Sequence, residues 1–279
     1  MRATALIFML CLCAGCSIAP SSSPGLELVN WNTYHLFDHQ QHTDSAVEWL
    51  AAEQPAMVAL QEVLYVDAAG LAKLAARWGH PHVVMNKEIG YPVALSSSAP
   101  IEVIERRVEG FHHGYLHVRT HGFDVFVVHF WPGKLHEPEH IAALALDLVS
   151  QGRPVLVVGD FNCEIRNDHQ YLLEQGQLGK VVDGVRTFDY RITDTFLASG
   201  FVDMTHAHAP AAKYTFGSPA LIPRWRKDIE DVRRTRRRID YIFADPATAK
   251  RSMSARVVTH DSSVGQWSDH YPVCVTFAP

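Results

Sequence analysis

Three short strings hold the groups in this chain best suited to chemistry: Gly159-Asp160-Phe161-Asn162, Arg238-Ile239-Asp240-Tyr241-Ile242 and Ser268-Asp269-His270. They offer carboxylates, an amide and an imidazole, groups that hold hard cations through oxygen and move protons near neutral pH. Each stands beside a short apolar run. Val155 to Val158 lead into Asp160, Ile239, Ile242 and Phe243 flank Asp240, and Val273, Val275 and Phe277 follow His270. Apolar runs bounded by Gly, Pro or charge read as buried strands. A polar group just past a strand end avoids most of the cost of burial while the strand holds it rigidly. Three such ends, far apart in sequence, predict one site assembled by the fold.

The pattern recurs upstream. Leu28-Val29-Asn30-Trp31-Asn32 ends in an amide, Met57-Val58-Ala59-Leu60-Gln61-Glu62 ends in a carboxylate, and the run from Phe123 to Val128 ends at His129. In this order the six blocks resemble the endonuclease/exonuclease/phosphatase superfamily of metal-dependent phosphoesterases. That superfamily includes pancreatic-type deoxyribonucleases, apurinic endonucleases and bacterial sphingomyelinases. The likeness runs from about Leu26 to Phe277. With apolar strands alternating with helical patterns, the expected fold is a four-layer α/β sandwich. Two facing mixed β-sheets would be flanked by helices, with all six blocks at one edge.

The resemblance implies roles. Glu62 becomes the principal metal ligand, Asn32 assists directly or through water, and Asp269 is a further ligand or supports one. Asp160 and Asn162 position the attacking water and the phosphoryl oxygens. Asp240 polarises His270, fixing its tautomer and raising its basicity. His129 matches a second histidine of the deoxyribonuclease and sphingomyelinase branches, which protonates the leaving group or binds a phosphoryl oxygen. The cofactor implied is Mg2+, with Mn2+ as a substitute, since oxygen donors dominate and thiolates are absent. The partners implied are phosphate-ester substrates, either nucleic acid or phospholipid headgroups, and the chain is expected to act as a monomer. Residue by residue, structural alternatives stay open. Asn32 and Asn162 could close turns, Asp160 could cap a helix, and His129 could be a satisfied core histidine. A binding protein that keeps the fold without catalysis is the rival for the whole chain.

The chain also departs from better-known members. Tyr34 stands where many nucleases of the superfamily carry an acidic residue, which thins the expected metal shell on that side. Arg238-Ile239-Asp240-Tyr241 differs from the Trp-Cys-Asp-Arg block of inositol polyphosphate phosphatases. His129 replaces the Tyr usual in apurinic endonucleases. These differences favour the deoxyribonuclease and sphingomyelinase side.

Formal net charge is −5, from 25 basic and 30 acidic residues, which disfavours a protein that coats nucleic acid non-specifically. The local exception is Arg233-Arg234-Thr235-Arg236-Arg237-Arg238. It reads either as a phosphate-gripping edge, with Arg238 binding substrate, or as a solvated loop balanced by Asp228, Glu230 and Asp231. His112, His113, His117 and His121 invite a transition-metal reading, but no Cys or second spaced motif completes a zinc site. They are assigned to surface or groove, as are His206 and His208. The aromatic-rich stretch from Tyr214-Thr215-Phe216 to Pro223-Arg224-Trp225 reads as a substrate-facing loop or as a cover for the core. Cys163 and Cys274 adjoin site blocks, with nothing to say that they pair.

At the N-terminus Arg2 is followed by an apolar run, Ala3 to Leu12, too short for a mature membrane span. Leu12-Cys13-Ala14-Gly15-Cys16-Ser17 looks like a bacterial lipobox, with an ordinary secretory signal as the alternative. The organisation expected is a signal peptide over 1–15, a lipidated tether over 16–25 beginning at Cys16, and one domain over 26–279. The protein is then an exported, membrane-anchored lipoprotein of the bacterial envelope. Helices are predicted over Asp44–Ala52, Ala68–Trp78, Pro138–Val149 and Thr193–Ser199. Asp44 and Thr193 are the predicted N-caps, and Gly152 and Gly200 the predicted stops.

Overall fold

A computed structural model describes residues 25–182 and 184–279. The leader, Cys16 and the tether as far as residue 24 lie outside the described residues. Two mixed six-stranded sheets face each other. The first uses β1 (Leu26–Asn32), β2 (Met57–Gln61), β3 (His82–Met85) and β4 (Val93–Ser97). The second uses β5 (Glu102–Arg107), β6 (Tyr115–Thr120), β7 (Phe123–His129) and β8 (Val155–Asp160). A hairpin, β9 (Lys180–Val182) and β10 (Val185–Thr187), stands apart. β11 (Val202–Asp203) and β12 (Asp240–Ala244) complete the second sheet, and β13 (Ser252–Val257) and β14 (Val273–Phe277) complete the first. The spatial orders are β13-β14-β1-β2-β4-β3 and β11-β12-β8-β7-β6-β5.

Alternating side chains build the layers, because successive residues of a strand point to opposite faces. Leu28, Ala59, Val125, Val127, Val158 and Val275 fill the space between the sheets. Their neighbours Val29, Trp31, Val58 and Leu60 turn outward beneath the helices Thr43–Glu53 and Ala68–Arg77. On the far side Phe126, Val128 and Val157 meet the helices His136–Ser150 and Arg191–Ala198. The result is helix, sheet, sheet, helix, as expected.

Each sheet contains one parallel pair, β1 with β2 and β7 with β8. All four strands end at the same rim, bringing Asn32, Gln61, His129 and Asp160 there. β12 and β14 run antiparallel to their neighbours, so they begin where the parallel strands stop. Their first residues, or those just before them, therefore reach the same rim. Hydrogen bonds cross between the sheets at this seam. Asn30 Nδ2 donates to the Gly159 carbonyl at 3.1 Å, and Gln61 Nε2 holds the Asn30 oxygen at 2.9 Å. Gly159 has φ +151°, and a Cβ there would lie 1.9 Å from the Val128 carbonyl oxygen. Only glycine lets β8 pass β7 so closely.

The helices fall where periodicity placed them, but two predicted caps do not. The first helix opens at His42, and Asp44 sits in its first turn, paired with Arg77 at 2.8 Å. Thr193 also lies inside its helix, where its hydroxyl donates to the carbonyls of Glu164 and Tyr190. Gly152 and Gly200 do follow their helices in left-handed conformations. Among the described residues no helix is long and apolar enough to cross a membrane.

Candidate active site

The rim opens into a cavity of about 770 Å³, lined among others by Glu62, His129, Asp160, Asn162, Asp269 and His270. Asp240 lies directly across the ladder from Asp160 and is wholly buried. Its Oδ2 accepts His270 Nδ1–H at 2.8 Å and the Thr215 hydroxyl at 2.6 Å. That leaves Nε2 as the ring atom of His270 facing the cavity. Nε2 stands 3.9 Å from Asp160 Oδ2 and 3.8 Å from Asp269 Oδ1.

Asp160 is held from several sides. Its Oδ1 accepts the Asn162 backbone N–H at 2.7 Å, and its Oδ2 accepts Asn32 Nδ2 at 3.0 Å. His129 Nε2 lies 3.4 Å from the same oxygen. Asn162 also donates to the Phe130 carbonyl at 3.1 Å, and its φ of +48° marks the tight departure from β8.

Burial and charge set the protonation states. Burial, then the carboxylate of Asp240, pushes Asp160 well above the usual carboxylate range. Burial pushes Asp269 up to about 7, with Glu62 adding to it and His270 opposing. For His270 burial alone would lower the pKa, but Asp240, Asp269 and Asp160 outweigh it and raise the ring to about 10. Burial, then His113 and His270, holds His129 well below its ordinary value. The site thus pairs a charged imidazole with a neutral one, around carboxylates that accept protons readily.

Glu62 follows β2 with φ +59°. Its Oε1 accepts from Asn32 Nδ2 at 3.2 Å. Asn32 is completely buried, and its Oδ1 accepts the Tyr34 backbone N–H at 3.1 Å. A backbone N–H can only donate, so the amide orientation is fixed. Asn32, expected to assist a metal directly or through water, presents its NH2 to Glu62 and Asp160 and its oxygen to the Tyr34 N–H. It thereby aligns the two carboxylates.

Arg238 is also not where the sequence reading put it. Its side chain is about 1% exposed and pairs with Asp168 at 2.7 Å and with Asp203. The arginine that lines the cavity is Arg237, 3.6 Å from Glu164 and stacked 4.7 Å over Phe216. In extended backbone a step of one residue turns the side chain over. Arg236 and Arg238 turn inward, Arg236 to Asp261 at 2.7 Å, and Arg237 faces the cavity.

Other lining residues carried weaker signals. His112 and His113 are groove residues as expected, His113 stacking on His129 at 4.1 Å and His112 on Trp131 at 4.5 Å. His117 is not on the surface; it is buried and bonded to Asp124 at 2.9 Å. Phe216, Leu221 and Trp225, from the aromatic-rich stretch, also line the cavity, as does Arg226. Lys87, Tyr91 and His35 complete it, and nothing in the sequence singled them out. Cys163 and Cys274 are buried and free.

Tyr34 and His35, both lining the cavity, stand on an unusual turn of backbone. Residues 34–40 all have positive φ, between +46° and +71°. For L-residues each such position costs about 1–2 kcal/mol, so the surroundings must impose it. Thr33 does much of this, its hydroxyl accepting Leu36 N–H and donating to the carbonyl of Gln61 at 2.8 Å. Leu36 and Phe37 are buried beneath.

Comparison with known proteins agrees with the six-block pattern. A sequence profile of the Endonuclease/Exonuclease/phosphatase family matches residues 29–270. No curated protein matches the chain in sequence. An AP endonuclease from Archaeoglobus fulgidus superposes with TM-score 0.70 at 20% identity, over 91% of this chain and 100% of that one. The 3′ phosphatase NExo from Neisseria, bound to a product DNA hairpin, gives TM-score 0.65 at 19% identity, over 90% and 99%. The 3′-5′ exonuclease NExo from Neisseria meningitidis gives TM-score 0.65 at 19% identity, over 91% and 100%. These similarities establish the fold, and the profile establishes kinship. The chain belongs to the Endonuclease/Exonuclease/phosphatase family.

Proposed function

We propose that this protein is a Mg2+-dependent phosphodiesterase, with Mn2+ as a working substitute. The family and its nuclease and phosphatase neighbours support hydrolysis of phosphoesters. Its enzymes depend on divalent metals; the close cluster of Asp160, Asp240 and His270 is already occupied by the Asp240–His270 hydrogen bond, so the carboxylates left to meet a cation are the others at the cavity. The donors suit a hard cation. Glu62, Asp160 and Asp269 converge on one cavity, and Asp240 Oδ1 is buried without a partner. A divalent ion bound there would neutralise the phosphate and ease development of negative charge on oxygen. Glu62 and Asp269 are the residues assigned to hold it.

The chain's own residues divide the remaining work. Asp160, whose pKa is raised, takes the proton of the attacking water. His270, cationic at neutral pH, donates from Nε2 to a phosphoryl oxygen and stabilises the charge that builds there. Two titratable groups pushed in opposite senses is the usual sign of such a division. His129, held neutral, offers a hydrogen bond rather than a proton. Arg237, Arg226 and Lys87 receive the substrate's anionic flank, and Phe216, Trp225, Tyr91 and Trp131 receive its flat or apolar part.

The observation that carries this reading is the Asp240–His270 pair aimed at Asp160 across the seam. A panel assay tests it, using duplex and single-stranded DNA, RNA, sphingomyelin and bis-para-nitrophenyl phosphate, with Mg2+ or excess chelator. Hydrolysis of at least one substrate with Mg2+, lost in chelator and in His270→Ala, is expected. Full activity in chelator, or restoration by Zn2+ alone, overturns it. From the sequence we further propose that the enzyme is exported and anchored through Cys16.

A further inference from the structure

Two stacked imidazoles in the cavity hold nitrogen atoms that no group of the protein satisfies. His113 and His129 both line it, are 5% and 3% exposed, and lie face to face at 4.1 Å. His113 Nε2 and His129 Nδ1 are each buried without a hydrogen-bond partner. Buried polar atoms are nearly always paired, so two orphans side by side call for a partner from outside the chain. Lys87 lines the same cavity. Burial lowers its ammonium, and no carboxylate among the described residues counters that. Burial, then His112 and Lys87, lowers His113 to about 3. The ring is therefore neutral, and a neutral ring can donate an N–H beside an ammonium without repelling it. One cation and one neutral donor, neither of them paired, suit an anion.

The two loops that carry these groups are pinned to each other. His112 N–H donates to the buried Glu137 Oε1 at 2.6 Å, and Asn86 Nδ2 donates to the His113 carbonyl at 3.1 Å. Asn86 Oδ1 accepts the Val93 N–H at 3.0 Å. The turn between β3 and β4, which bears Lys87, is thereby tied to the loop between β5 and β6, which bears His113. Gly114 has φ +80°, and a Cβ there would lie 2.3 Å from the Arg107 carbonyl oxygen. Donors fixed before a ligand arrives lose little entropy on binding it.

Contacts lead from this corner to the arginines through the catalytic centre. His113 stacks on His129, whose Nε2 is 3.4 Å from Asp160 Oδ2, and that oxygen is 3.9 Å from His270 Nε2. The His270 ring meets Phe216 at 5.0 Å, and Arg237 lies 4.7 Å over Phe216. His113 and Arg237 are the two ends of this chain, with Asp160 and His270 between them. A phosphate held at the centre leaves both ends free to bind further anions.

We propose that His113 and Lys87 form a second anion subsite, which holds the phosphate next to the one being cleaved. The proposal rests on the phosphodiesterase reading above and names the substrate class. That class is a chain of successive phosphodiesters, as in single-stranded nucleic acid, in preference to an ester with one phosphate such as a phospholipid headgroup. Trp131, 46% exposed and stacked on His112 at 4.5 Å, offers an unpaired base a flat surface at the same corner.

Steady-state kinetics of the full-length protein with Mg2+ test this on two esters. The thymidine trinucleotide TpTpT carries two phosphates, and bis-para-nitrophenyl phosphate carries one. The wild type should favour TpTpT in kcat/KM. His113→Phe keeps a ring to stack on His129 but has no N–H. It should lower that preference by about 10-fold or more, mainly through KM for the trinucleotide. Lys87→Gln should lower it in the same way. It should also reduce the slope of log KM against log salt by about 0.7, the share of one phosphate contact on a single strand. Because Lys87 sits on a turn, its variant decides the matter even if His113→Phe does not fold. Equal losses on both esters, or an unchanged salt slope in Lys87→Gln, overturn the proposal, as does a wild type that favours the one-phosphate ester. A wild type that hydrolyses neither ester removes the phosphodiesterase reading itself, and the subsite with it.

Discussion

His270 Nδ1 meets Asp240 Oδ2 at 2.8 Å although thirty residues separate them, Asp240 opening β12 of one sheet and His270 standing just before β14 of the other. The carboxylate is bonded by Thr215 as well and cannot swing away. The imidazole is therefore oriented by Asp240, a wholly buried carboxylate that also raises its pKa.

Asp240→Asn should leave the fold intact, since amide and carboxylate are nearly equal in size, but remove the anion that raises His270. Losses of about 10²–10⁴-fold in kcat are expected for Asp240→Asn and for His270→Ala. Groups acting as one unit are non-additive, so the double variant should be hardly worse than His270→Ala. Multiplying losses, measured in the same steady-state assay, would separate the two roles.

The carboxyl of Asp269, raised to about 7, favours the fold while protonated. Its unfolded value is near 4, so that contribution is lost as pH rises through about 7. His270, raised to about 10, acts in the same sense. Its contribution is complete below about 6.5 and is lost as pH climbs towards 10. The Tm of the metal-free protein should fall between pH 6 and pH 9. Added Mg2+ should raise Tm more at pH 8.5 than at pH 6, and Asp269→Asn should flatten the lower part of the slope. Scanning fluorimetry across pH, with and without Mg2+, reads all three.

Neighbouring arginines should fail differently. Arg238→Ala leaves Asp168 and Asp203 buried without their partner and should cost about 3–5 kcal/mol in denaturant unfolding, with kcat/KM per folded molecule little changed. Arg237→Ala should spare stability and lower kcat/KM by about 10²-fold. The reverse pattern would return substrate binding to Arg238.

Gly159→Ala would drive a methyl group into the Val128 carbonyl and part β7 from β8. A loss of about 3 kcal/mol or more is expected from the clash and the unfavourable backbone together. A variant with wild-type unfolding midpoint would mean the strands have room that the structure does not show.

Cys16→Ser should abolish lipid labelling and release the protein from membranes while its hydrolytic activity persists. Continued labelling of the variant, or a wild-type protein found in the soluble cytoplasmic fraction, would refute the lipobox.

Much of this architecture was legible because strand-end chemistry is local. A run such as Val155 to Val158 announces a buried strand, and Asp160 after it announces a rim. What sequence could not supply was parity and partnership. Whether Arg237 or Arg238 faces the cavity depends on which residue first enters the strand register, and the string of arginines carries no alternation to reveal it. Asn32 stands at the rim, and its amide orientation is decided by the Tyr34 N–H, a backbone group with no signature. His35 was invisible for a related reason. Seven residues in left-handed conformation leave no glycine trail, because tertiary packing of Leu36 and Phe37 imposes the turn. The capping expectations failed because the first helix is capped at His42, two residues before Asp44, and the later one at Tyr190, three residues before Thr193.

The seam between the sheets has a wider consequence. Glu62 comes from one sheet, Asp160 and Asp240 from the other, and Asn32 reaches across to bind both carboxylates. The distance from Glu62 to Asp160 is therefore tied to interlayer spacing, and that spacing depends on the volumes of Leu28, Ala59, Val127 and Val158 beneath the rim. A methylene removed far from the cavity lets the layers settle, and one added wedges them apart. In this architecture the core works as a gauge block, so drift in its packing would register as lost turnover before it registered as lost folding.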